Sequence, residues 1–83
     1  MPMDKKDQLA ELISNAETSF YNGQLQEAFS LSLSAIKLDE NCADAYQCAA
    51  NVCMSLSRYE DAIEYYQKVQ IYIMLITQIE MNL

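Results

Sequence analysis

The chain has 83 residues, enough for one small domain or a piece of a larger one, and its single Gly and single Pro leave too few turn formers for a strand-rich fold. Twelve acidic residues against five basic ones give a net charge of −7, and Lys5, Lys6, Lys37, Arg58 and Lys68 are scattered. Such a chain has no basic stripe to neutralise phosphates and is repelled by an anionic membrane, so neither nucleic acid nor a lipid surface is an expected partner.

In chain order, apolar residues first recur at Leu9, Leu12, Ile13, Ala16 and Phe20, the three-and-four spacing of an amphipathic helix. Asp4 or a neighbour caps its start, and Asn22-Gly23 stops it, Gly23 supplying a left-handed residue. A second stripe, Leu25, Ala28, Phe29, Ser32, Ala35 and Ile36, ends near Leu38-Asp39. Asn41 is the expected cap of a third helix, with Asp44 in its first turn and a stripe of Ala45/Tyr46, Ala49, Ala50, Cys53 and Leu56. "SLSR" breaks that helix, and a fourth carries Tyr59, Ala62, Ile63, Tyr66 and Val69. Four helices with three short connections make sequential neighbours antiparallel.

The halves repeat each other. Ala28 and Ala62 lie 34 residues apart, as do Leu25 and Tyr59, Glu27 and Asp61, Phe29 and Ile63, Ala16 and Ala50, and Phe20 and Met54. In "SRYEDAIEYYQKV" (Ser57–Val69) the small Ala62 sits among rings, which suits a helix crossing another closely. Ala62 is therefore expected against Ala49 and Ala50, and Ala28 against Ala16.

A 34-residue helix–turn–helix period is a repeat signature. The second unit, "ADAYQCAANVCMSLSRYEDAIEYYQKV", resembles a tetratricopeptide repeat at Tyr46, Ala49-Ala50, Tyr59, Ala62 and Tyr66, with Val69 replacing the family's late Ala. The first unit resembles it more loosely at Leu12, Ala16, Phe20, Gly23, Ala28, Ala35 and "LDEN", with Glu40 for the family's Pro and Ser32 for its aromatic. The expected architecture is an all-α, alpha-alpha superhelix of two antiparallel helical hairpins in one domain over 1–83. Repeat 1 spans about 9–42, repeat 2 about 43–70, and an apolar C-terminal extension 71–83.

That extension breaks the pattern. "QIYIMLITQIEMNL" contains no turn signal, so the fourth helix runs on or is followed by an apolar C-terminal helix. If it runs on, Val69, Ile73 and Ile76 form the expected buried face, while Ile71, Tyr72, Leu75 and Ile79 point elsewhere and are candidates for self-association. "IYIMLI" is too short to span a bilayer. The repeat pair is then a self-assembling unit, or a piece of a longer array.

Nothing in the chain suggests catalysis or a cofactor. It has no histidine, and Gly23 alone makes no phosphate loop. Cys42, Cys48 and Cys53 lack the paired spacings of a zinc site and read as free thiols in a reducing, cytoplasmic setting. Asp39, Asn41 and Asp44 hint at a calcium loop, but Ala50 stands where its closing Glu belongs. Glu60, Asp61 and Glu64 suit a helix start, with Glu64 one turn from Lys68.

The resemblance implies a protein-binding scaffold whose concave groove takes a peptide or a partner's helix. That groove would be lined by Ala10, Ile13, Glu17, Phe20 and Tyr21 from the first helix and by Asp44, Gln47, Asn51, Met54 and Ser55 from the third. A subgroup clamps acidic carboxylates, but here its cations are missing and its positions fall on Ile13, Glu17 and Cys48. An acidic, partly apolar groove would take a basic or amphipathic segment.

Overall fold

The computed structural model describes residues 3–81. These form α1 (Lys5–Tyr21), α2 (Leu25–Leu38), α3 (Ala43–Ser55) and α4 (Tyr59–Met81), with no strand among the described residues. The fold is all-α and built of two helical hairpins. α1 packs on α2, α3 on α4, α2 on α3, and α1 also reaches α3. The extended ending is the one observed, because α4 is a single helix of 23 residues. Residues 82–83 of the expected extension lie outside the described residues. No helix among those described is long and apolar enough to cross a membrane.

Asp4 caps α1, its carboxylate accepting the Asp7 N–H at 2.8 Å. α1 then ends through three bonds: the Asn22 N–H donates to the Thr18 carbonyl, Gly23 to Phe20 and Gln24 to Ser19, at 3.0, 3.1 and 2.8 Å. The same set recurs 34 residues later, with Leu56 donating to Val52, Ser57 to Met54 and Arg58 to Cys53 at 2.9, 3.1 and 2.8 Å. The pivots are Gly23 (φ +79°) and Ser57 (φ +61°), both left-handed, a conformation costly for a residue with a Cβ.

Between the hairpins, Asn41 does not cap α3. Cys42 holds the cap position without a side-chain bond, and the Asn41 side-chain oxygen Oδ1 instead accepts the Tyr72 hydroxyl at 2.5 Å. Tyr46 and Tyr72 both donate to the Glu40 carbonyl, at 2.8 and 3.3 Å, so two rings pin this connection from different helices.

The core is made of small residues. Ala16, Ala28, Ala35, Ala45, Ala49, Ala50 and Ala62 have no exposed surface, and the largest fully buried side chains are Val52, Cys53 and Ser32. Small side chains let helix axes approach closely, so stability here comes from many short contacts rather than a few large anchors. Ser32 is accommodated because its hydroxyl donates to the Ala28 carbonyl at 2.8 Å. Rings close the seams around this centre: Tyr65 lies 6.5 Å from Phe29 and 6.3 Å from Tyr46, and the Arg58 guanidinium sits 5.5 Å from the Phe29 ring centre. Lys68, the expected mate of Glu64, holds its ammonium 5.6 Å from the centre of the Tyr46 ring.

The apolar face of α4 differs from the expected one. Tyr59 and Ile63 are exposed, Ile63 at 55%. Of the expected face Ala62 is buried and Tyr66 and Val69 are half-buried, and the stripe that continues along the helix is Ala62, Tyr65, Val69 and Tyr72, with Tyr65 and Tyr72 also half-buried. Ile73 and Ile76, expected on a buried face, are 57% and 56% exposed. The reason is support: the backbone of α4 approaches that of α3 alone, and α3 begins at Ala43, beside the connection that Tyr72 reaches. Beyond Tyr72 every described residue of α4 is exposed.

Candidate functional site

α1 and α3 present their outer faces side by side because α3 packs on both α1 and α2. Residues one turn apart on each helix therefore line up across the gap. Glu17, Phe20 and Tyr21 from α1 and Asp44, Gln47 and Asn51 from α3 surround a cavity of about 150 Å³, with Cys48 at its buried side. That is room for a single side chain. The groove residues expected from the sequence meet here except for Ile13, Met54 and Ser55: Ile13 is half-buried, Met54 and Ser55 are exposed, and none borders the cavity. Ala10, one turn before Ile13, is exposed and also lies outside it. Cys48 is the lining residue absent from the expected set, although it lies one turn after Asp44 on the same face of α3.

The polar groups have defined orientations. The Asn51 carbonyl oxygen accepts the Tyr66 hydroxyl at 2.6 Å and the Gln47 amide at 3.3 Å. Two donors on one oxygen fix the side chain and leave its amide N–H bonds for whatever enters the cavity. Tyr66 is the α4 ring that sets this geometry. On the other wall, the rings of Phe20 and Tyr21 meet edge to face with centres 5.7 Å apart, and Tyr21 is 82% exposed. Glu17 and Asp44 supply negative charge on opposite sides.

The thiol of Cys48 is held neutral. Burial pushes its pKa up, the carboxylates of Glu17 and Asp44 push the same way, and the neighbouring Ser32 side chain opposes them. A neutral, buried thiol is a poor nucleophile. Cys53 is likewise raised by burial, and all three cysteines are free.

A second hollow lies at the base of the α4 extension. Glu40, Asn41, Tyr46, Lys68, Ile71, Tyr72 and Leu75 line an open space of about 420 Å³. Of the residues expected to be free for self-association, Ile71, Leu75 and Ile79 are at least half exposed. Tyr72 is not free: it is half-buried and bonded to Glu40 and Asn41. Comparison of the chain with protein-family models, curated proteins and solved structures finds no match.

Proposed function

We propose that the chain is a non-catalytic, cytoplasmic protein-interaction module of the tetratricopeptide kind. It takes a basic or amphipathic peptide, or one helix of a partner protein, along the cleft between α1 and α3. The observation that carries this reading is the convergence of Glu17, Phe20, Tyr21, Asp44, Gln47 and Asn51 on one side-chain-sized cavity. A lysine or arginine entering it meets two carboxylates, an aromatic wall for its methylenes, and the Gln47–Asn51 amides beside them. The 34-residue repetition of the turn bonds supports the repeat reading independently of the cleft.

Titration of the chain with a Lys/Arg-rich peptide and with a neutral peptide of equal length, at two salt concentrations, tests the proposal. The basic peptide binds more tightly, salt weakens it, and Asp44→Asn and Phe20→Ala each reduce affinity. Equal, salt-insensitive binding of both peptides, or variants that bind as the parent does, would overturn it.

A further inference from the structure

The packing stripe of α4 outruns its support. Ala62, Tyr65, Val69 and Tyr72 alternate by three and four residues, and Ile76 and Ile79 continue the same alternation on the same face. The first four lie against the fold, whereas Ile76 and Ile79 are 56% and 65% exposed. At 1.5 Å per residue the unsupported part, from Tyr72 to Met81, projects on the order of 14 Å. It is the continuation of a seam the molecule already uses, missing only the second helix.

We infer that a second copy of this chain supplies that helix. In this arrangement two α4 extensions lie antiparallel about a two-fold axis, with Ile76 of each copy against Ile79 of the other. α3 already runs antiparallel to α4, so the partner's extension lies end to end with α3 and prolongs the same two-helix packing. Charge favours this occupant. Val69 to Ile79 contains no charged residue, although the chain carries −7. A face without charge offers nothing to select a basic or an acidic partner, but it lets two acidic copies meet without opposing their carboxylates. The register puts Glu80 level with Leu75 of the other copy rather than beside its own counterpart, so no like charges face each other.

The area is sufficient and no more. Ile71, Ile73, Met74, Leu75, Ile76, Ile79 and Met81 are each at least half exposed. Covering the seam-facing part of this surface on both copies removes on the order of 1,000 Å² from water, the lower bound for a specific interface. The dimer is therefore concentration-dependent. Tyr72, tied to Asn41 and Glu40, holds the base of the extension in place before the copies meet.

Sedimentation equilibrium of the full chain tests the arrangement. The parent rises with concentration from the 9.5 kDa of one chain to twice that mass and stops there. Ile76→Lys with Ile79→Lys weakens association by about tenfold or more, the equivalent of roughly 1.4 kcal/mol. Met74→Lys, on the far side of the helix, leaves it unchanged. Circular dichroism of the dilute variants shows parental helicity, which separates lost association from lost folding. A parent that stays monomeric at every concentration overturns the proposal and leaves the stripe to a different chain or segment. A mass that climbs past two copies, or a Met74→Lys variant that dissociates as the double variant does, also overturns it. For the register, mixing Ile76→Cys copies with Ile79→Cys copies under mild oxidation gives the mixed 76–79 disulfide. Preferential 76–76 and 79–79 products would contradict the antiparallel pairing.

Discussion

The two hairpins close through the same three backbone bonds, yet one pivots on Gly23 and the other on Ser57. Glycine adopts the left-handed conformation freely, whereas serine is held there against its preference. The shared geometry therefore comes from how the helices of each hairpin pack over their buried alanines, and the residue at the pivot only modulates its stability. The hairpins differ at their far ends. α2 stops at Leu38, where Asp39 turns extended and its carboxylate accepts the Asn41 N–H at 2.9 Å. α4 meets no such signal and runs to Met81, its described residues after Tyr72 all exposed.

The comparison breaks most readily at the alanine seams. Ala28→Leu and Ala62→Leu each overpack a contact with no spare volume and each cost about 1–3 kcal/mol, measured by chemical denaturation. Similar losses mark equivalent seams, and a loss in one hairpin alone would show that the repetition stops at the turns. Exchange of the pivots sharpens the point: Ser57→Gly raises the thermal midpoint and Gly23→Ser lowers it, each by the equivalent of about 1 kcal/mol. A midpoint unmoved by Ser57→Gly would mean that the serine conformation carries no strain.

Tyr66→Phe probes a lock the first hairpin lacks. The residues 34 positions earlier are Ser32 for Tyr66 and Glu17 for Asn51, and Ser32 bonds the Ala28 carbonyl instead. Losing the Tyr66–Asn51 bond costs about 0.5–1.5 kcal/mol in stability and lowers peptide affinity, because Asn51 is no longer held. Unchanged affinity would detach Asn51 from the cleft.

The smallest expected effect is alkaline. Cys48, Cys53, Tyr46 and Tyr65 all belong to the second hairpin, and burial is the leading cause that raises the pKa of each. A raised folded-state pKa means that the folded chain keeps its proton where the unfolded chain has lost it. Stability is therefore intact below the ordinary values of 9.0 for the thiols and 10.0 for the phenols, and falls as pH rises through and above them. Thermal midpoints across this range decline; level midpoints would contradict the burial of these groups.

The sequence carried the local part of this structure. The helices and the Asn22-Gly23 stop follow from spacing and turn chemistry, and the buried Ala16, Ala28, Ala50 and Ala62 from their 34-residue recurrence. Most of the cleft was equally legible, because Glu17, Phe20 and Tyr21 share a face of α1 as Asp44, Gln47 and Asn51 share one of α3. The misreadings concern contacts far apart in the chain. Asn41 looks like a cap until Tyr72, 31 residues on, takes its oxygen. The exposure of Ile73 and Ile76 depends on where α3 begins, which the periodicity of α4 does not contain. The choice of Tyr65 over Ile63 for the packing face likewise follows from Phe29 and Tyr46 on other helices.

Amide chemical-shift mapping of the labelled, dilute chain during titration with the Lys/Arg-rich peptide tests the binding cleft most directly. The account predicts the largest changes at Glu17, Phe20, Tyr21, Asp44, Gln47 and Asn51, with Ile73 to Met81 unmoved. Changes confined to Ile73–Met81, with the cleft silent, would contradict it.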